Sequence, residues 1–122
     1  MNYNELYERA GLIAAVNNLP LPAKAKAEAL ILRAVCAPAI DTFEKERAAI
    51  KADDKATEEQ KKEAVEARAK EECAAPDRRF TPEAFEQIVG AAMAAGTVPG
   101  FDNNVSAEAF LEILAFKLVN LD

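Results

Sequence analysis

The side chains best suited to nucleophilic or redox chemistry in this chain are its two cysteines, Cys36 and Cys73. A thiolate can attack, ligate a metal or pair with a second sulfur, but it needs a cation, a helix terminus or a base beside it to form at neutral pH. No histidine occurs anywhere in the 122 residues, and there is one serine, Ser106. Ser-His-Asp and Cys-His sites are therefore excluded within the chain. The commonest general base and metal ligand is missing as well. The cysteines form no CxxC pair and no zinc-type spacing. They read as core thiols, with redox pairing as the alternative.

Two carboxylate groupings complete the chemical inventory. Asp102, Asn104, Ser106, Glu108 and Glu112 have the alternation of a calcium loop. Counted from Asp102, however, Ala107 stands where an EF-hand needs glycine and Ile113 where it needs the bidentate glutamate. The segment reads as a turn and a helix cap. Residues 44–72 carry ten acids and eight bases, interleaved throughout. That pattern is a solvated helix face rather than a ligand set or an acid pair. No catalytic, cofactor-binding or metal-ligating residue is assigned, no cofactor is expected, and the chain reads as non-enzymatic.

The elements that must carry these residues are helical. The chain has 27 alanines and only 4 glycines, and alanine is the best helix former. The expected fold is all-α, a single domain over residues 1–122, long enough to fold without disulfides or metal. Five helices are predicted, near 3–17, 22–52, 58–74, 82–95 and 107–121. In the first, Leu6, Ala10, Ile13 and Val16 fall at helical spacing and Asn2 or Asn4 caps the start. The LPLP run at 19–22 ends it, and Pro22 suits the first turn of the next helix. Leu32, Cys36, Ile40, Phe43 and Ile50 then form one stripe, interrupted by Arg47. Pro38 inside this stripe predicts a continuous but kinked helix.

Asp53 to Thr57 reads as a turn, and Thr57 with Gln60 fits a capping box. Residues 22–74 are thus expected to form an antiparallel helical hairpin of coiled-coil type, preceded by a short N-terminal helix and followed by a C-terminal helix pair at 80–122. With the turn between Asp54 and Lys55, Cys36 should face Cys73, Ile40 should face Ala69 and Phe43 should lie near Val65. The C-terminal pair opens on similar phrases, FTPEAFEQIVGA at 80–91 and VSAEAFLEILAF at 105–116. Each has a capping hydroxyl (Thr81, Ser106), a glutamate in the first turn and an apolar residue before the cap. Duplication or two independent good helix starts would both produce this. Gly96 is the expected stop of the first. The small-residue run at Gly90, Ala91, Ala94 and Ala95 should let another helix pack closely.

The net charge of −6 is uneven. Residues 80–122 hold six acids against one base, Lys117. No stretch forms the basic stripe that a phosphate backbone needs, so nucleic-acid binding is not expected. The N-terminus lacks a basic region, and the apolar run Leu12–Val16 is too short for a signal peptide. No run approaches the roughly 18 apolar residues of a membrane span. A cytoplasmic protein with reduced thiols is expected.

The segments NNLPLPAKAKAEALILRA at 17–34 and FEKERAAI at 43–50 resemble a group of small phage and prophage proteins of unknown function. The resemblance covers roughly residues 3–72. It implies a phage-derived, non-enzymatic protein and carries no site residue with it.

The last helix, wound at about 100° per residue, is apolar nearly all round and must be covered on several sides. Leu111, Leu114, Phe116, Leu118, Val119 and Leu121 are the candidate interface residues, toward a protein partner or a second copy. The expected function is a non-catalytic protein-interaction or structural-assembly protein. The alternative is a small acidic regulatory or inhibitory module that occupies a basic protein surface.

Overall fold

A computed structural model describes residues 1–99, 101 and 105–120. Among them lie five α-helices: α1 (Tyr3–Asn17), α2 (Ala23–Lys51), α3 (Glu58–Ala69), α4 (Pro82–Ala95) and α5 (Ala107–Leu118). No strand is present among the described residues, only two isolated bridges, Asn2 with Glu72 and Phe80 with Val119.

The helix starts follow their local chemistry. Asn2 accepts from the Glu5 amide at 2.9 Å, Thr81 from Ala84 at 3.2 Å and Ser106 from Ala109 at 3.1 Å. Thr57 and Gln60 complete a reciprocal capping box, at 3.1 and 2.9 Å. These caps satisfy amides that a helix leaves orphaned. α2 has no side-chain cap of its own, because Pro22 precedes it. Its Ala25 amide donates instead to Oε1 of Gln87 on α4, at 3.0 Å. Gly96 ends α4 with φ of 80°, the left-handed stop that glycine adopts freely.

α2 runs unbroken through Pro38. The proline is on the exposed side of the helix, so the carbonyl of Ala34 that it leaves without an amide partner faces water. Thr42 Oγ1 donates back to the Pro38 carbonyl at 3.0 Å.

The closest packing joins α1 to α2, and the two run antiparallel. Tyr3 stacks on Phe43 with ring centroids 5.0 Å apart, and Tyr7 meets the same ring edge-on at 5.5 Å. At the other end, Lys26 Nζ donates to the Asn17 carbonyl at 2.9 Å and Asn17 Nδ2 donates to the Ala29 carbonyl at 3.4 Å. This corrects the expected architecture, in which α1 was an accessory to a 22–74 hairpin. α1 buries Tyr3, Leu6, Leu12, Ile13, Ala15 and Val16, whereas α3 buries only Ala69. α3 packs on α2 with a thin stripe: Val65 and Ala69 border a groove with Phe43 and Arg47, and Arg68 pairs with Glu46.

Two helix ends also differ from expectation. α3 stops at Ala69, not 74, and residues 72–73 extend beside the N-terminus, with the Cys73 amide donating to the Met1 carbonyl at 3.0 Å. Cys73 is therefore not on a helix facing Cys36. α5 stops at Leu118, not 121. Val119 is extended, with Phe80 paired across it: Phe80 N–H donates to the Leu118 carbonyl at 2.7 Å, and Asn120 N–H donates to the Phe80 carbonyl at 2.9 Å. In both places a tertiary backbone pairing replaces the last helical turn.

The C-terminal pair α4–α5 forms as expected and docks on α2. Glu28 of α2 accepts both the Thr81 amide (2.9 Å) and the Thr81 hydroxyl (2.7 Å) at the start of α4. The small-residue run is not a packing face: Gly90, Ala94 and Ala95 are exposed, and Ala84, Ile88 and Ala92 are buried instead. The helix turned its longer apolar residue, Ile88, inward, because burying it removes more surface from water than burying the glycine and alanines.

Two stability outcomes follow from this packing. Phe80 is fully buried, with 0% of its surface exposed. Phe80→Ala should cost about 3–5 kcal/mol, read as a lower urea midpoint at an unchanged denaturant slope. At Gly90 an added Cβ would meet nothing within 4 Å, so Gly90→Ala should stabilise by about 0.5–1 kcal/mol. A lower melting temperature for Gly90→Ala would show that this face is covered.

Candidate functional site

Of the six candidate interface residues, the fold itself buries four. Leu111, Leu114, Leu118 and Val119 are part of the one core cluster. Leu121 lies outside the described residues, as do Asp102 and Asn104 of the calcium-like spacing. Phe116 is the exception, with 79% of its surface exposed, and Ile113 three residues earlier is at 37%. Two helix positions three apart share a face. The outward face of α5 is thus Ile113 and Phe116, with Lys117 beside them.

Phe116 borders a groove of about 470 Å³ between α1 and α5, lined also by Glu5, Glu8, Arg9, Arg79 and Lys117. Lys117 reaches across it to Glu8 at 2.5 Å. The result is an exposed aromatic inside a rim of mixed charge. Such an arrangement is what a protein interface centres on, since aromatic side chains and arginine supply most anchors and the rim stays polar.

Under the groove sits Arg9, the charged side chain most deeply buried among the described residues, at 9% exposed. Its Nη1 pairs with Asp77 Oδ1 at 2.5 Å, and Arg79 Nε adds a second contact to that oxygen at 3.3 Å. The Arg9 hydrogen bond holds the Asp77 carboxyl below its ordinary range. Sequence reasoning missed Arg9, although its position signals it. Arg9 lies three after Leu6, four before Ile13 and seven before Val16, squarely on the apolar face of α1.

A second polar cluster surrounds the α1–α2–α3 junction. Tyr7 donates to Glu44, which also pairs with Arg47. Arg68 binds Glu46 and stacks 4.8 Å above the Tyr3 ring. Burial, aided by the Glu44 hydrogen bond, pushes the Tyr7 hydroxyl up to about 12. The Tyr7 bond holds Glu44 below the usual carboxylate range, and the Arg68 bond does the same for Glu46. Glu46 in turn keeps the Arg68 guanidinium protonated beyond its ordinary range. Each of these groups has its partner in place, which is the organisation of a structural network.

Cys36 is buried on α2, Cys73 is half-buried in the connector, and both are free thiols. Among the described residues, no group of three or more cysteines, aspartates or glutamates is placed to hold a metal ion. No helix there is long and apolar enough to cross a membrane. Ser106 caps α5, and Glu108 lies in its first turn. Against family models, curated proteins and solved structures, the chain has no match.

The shifted groups fix the pH profile of stability. Asp77, Glu44 and Glu46 are depressed in the fold, so their contribution is present at neutral pH and is lost as pH falls below about 4 and through their folded values. Tyr7 is raised, so its contribution is present below about pH 10 and lost as pH climbs toward 12. Urea midpoints measured across pH should fall on both limbs. Asp77→Asn should flatten the acid limb and Tyr7→Phe the alkaline one. An alkaline limb identical in wild type and Tyr7→Phe would contradict the assignment.

Proposed function

We propose that this chain is a non-catalytic protein-interaction or structural-assembly protein, acting in the cytoplasm and bound to a protein partner or to a second copy of itself. The observation that carries this reading is Phe116. A soluble fold that buries Phe80 and Phe110 completely leaves this phenylalanine in water at 79% exposure. Isolated apolar residues on a surface are ordinary. Phe116 differs in having Ile113 on its face and the Glu8–Lys117 pair at its edge, the core-and-rim layout of an interface. In this reading α2 and α3 form an antiparallel hairpin arm, and the charged face of that arm keeps the assembly soluble. The resemblance of residues 3–72 to small phage proteins supports a phage origin.

A second reading has its own observation. On α4 and α5, Glu83, Glu86, Glu108 and Glu112 are all exposed, and the single base of that half, Lys117, is neutralised by Glu8. This favours a small acidic module that occupies a basic protein surface. Salt separates the two readings: screening weakens a charge-driven complex strongly and an aromatic-centred one little.

Light scattering over a concentration series, on wild type and Phe116→Glu, tests the first reading. The expected wild-type mass exceeds one chain, or a defined partner from the native host binds at least about 10-fold more tightly to wild type than to Phe116→Glu. The variant should keep its helical circular dichroism, because the side chain it replaces is exposed. A wild type that stays monomeric at every accessible concentration, with no partner sensitive to Phe116, ends the proposal.

A further inference from the structure

An apolar groove lies between α1 and α2, on the far flank of α1 from Phe116. Its floor is the buried Ile13 of α1 and Cys36 of α2, with Ile40 half-buried beside them. Its walls are low, because small side chains form them: Ala10 and Ala14 on α1, Ala37 on α2. It measures about 300 Å³, and roughly 150 Å³ of apolar cavity is enough to hold a benzene ring. The charges at its two ends are opposite. Arg33 stands at one end, Asp41 and Glu44 at the other. The two acids already have bases on their own helix, Lys45 and Arg47. Arg33 is exposed and has no side-chain partner among the described residues.

The Phe116 face carries the same pattern with the signs reversed. Along α5 run Glu112, Ile113, Phe116 and Lys117: acid, two apolar residues, base. Along α2 run Arg33, then Cys36, Ala37 and Ile40, then Asp41: base, apolar residues, acid. Glu112 is exposed and, like Arg33, has no side-chain partner among the described residues. The registers agree as well. Phe116 follows Glu112 by four positions and Ala37 follows Arg33 by four, about 6 Å along each axis. An α5 laid parallel to α2 therefore sets Phe116 over Ala37, where the lack of a longer side chain leaves room for the ring. It sets Glu112 against Arg33 and brings Lys117 toward Asp41. Lys117 can keep Glu8 at the same time, since an ammonium has three donors.

We propose that the occupant of the α1–α2 groove is Phe116 of a second copy of this chain, so that copies join head to tail. This rests on the reading of Phe116 as an interface anchor and names its partner. The two surfaces are not on one face of the molecule. On α1, Glu8 borders the Phe116 side and Ala10 borders the α2 groove, and two steps of about 100° put them on roughly opposite sides of the helix. Each copy thus uses its groove on one neighbour and its phenylalanine on another. Such a heterologous contact repeats into a ring or a filament.

The test is light scattering at low salt over a concentration series. Wild type should pass beyond the mass of two chains. Phe116→Glu and Ala37→Arg, both at exposed helix positions that leave the circular dichroism intact, should each weaken association at least about 10-fold. Ala14→Arg, on the opposite wall, repeats the groove test if Ala37→Arg alters the fold. An equimolar mixture of Phe116→Glu and Ala37→Arg should give a heterodimer and nothing larger. The first variant still offers an intact groove, and the second an intact phenylalanine. Arg33→Glu and Glu112→Arg should each weaken association about 3-fold, and the double variant should recover it. Association lost in Phe116→Glu but unchanged in both groove variants overturns the head-to-tail proposal while leaving Phe116 as an anchor for another surface. So does a wild type that stops at two chains, or one that stays monomeric but binds a foreign partner through Phe116. A monomeric wild type with no such partner overturns both readings.

Discussion

Phe80 is the point at which the two halves of the molecule become one. Its ring is fully buried, its N–H donates to the Leu118 carbonyl, and its C=O accepts from Asn120. The next residue, Thr81, caps α4 and is itself held by Glu28 of α2. One dipeptide thus ends the connector, starts α4, terminates α5 and anchors both to α2. An aromatic side chain is suited to this because it removes a large apolar area from water at the cost of few rotatable bonds. Without it, the α1–α2 pair and the α4–α5 pair would meet through Gln87 with Ala25, Lys117 with Glu8 and the inward residues Ala84, Ile88 and Ala92 of α4.

α1 has the complementary role on the other side of α2. It contributes six buried apolar residues and also the buried Arg9. A charge that deep is costly unless paired, and its partner comes from the connector rather than from a neighbouring helix. The pair therefore makes the path of residues 70–80 part of what stabilises α1. α3 depends on the same path. With Ala69 as its one buried residue, it is held by its capping box, by Arg68 with Glu46 and Tyr3, and by the connector that follows it. Of the five helices it is the one whose tertiary packing contributes least, so it should open first in local unfolding.

The sequence made the helix starts legible because each is a local event. Thr57 with Gln60, Thr81 with Pro82 and Ser106 all declare themselves within four residues. The ends at Ala69 and Leu118 were not legible, because each is set by backbone pairing with a segment far away in the chain: the N-terminus for α3 and Phe80 for α5. The same limit applied to the candidate surface. Winding α5 showed an all-round apolar helix, but which arc stays outside depends on where the connector and α1 lie. Leu111, Leu114, Leu118 and Val119 were therefore indistinguishable from Phe116 by pattern. Arg9 was legible and was overlooked, since its spacing with Leu6 and Ile13 places a charge on a core face, which requires a buried partner.

The arithmetic of Phe116 limits what its surface can do. Burying one phenylalanine side chain is worth about 1.5–3 kcal/mol, or roughly 10- to 200-fold in an equilibrium constant. Association costs at least about 4 kcal/mol in lost freedom before any contact contributes. Phe116 alone cannot hold a complex together. Ile113 extends the apolar area by less than one side chain, because most of it is already covered by the fold. The rest would have to come from the groove beside it, where Glu8 and Lys117 are already paired to each other. A partner that merely broke that pair would lose about as much as it gained, since exposed ion pairs are worth under about 1 kcal/mol. A partner that placed an opposite charge against each member would keep both satisfied and would add orientation. In the proposed reading, a partner of this surface would carry an apolar pocket flanked by both signs of charge. A uniformly basic partner would be drawn instead to the glutamates of α4 and α5.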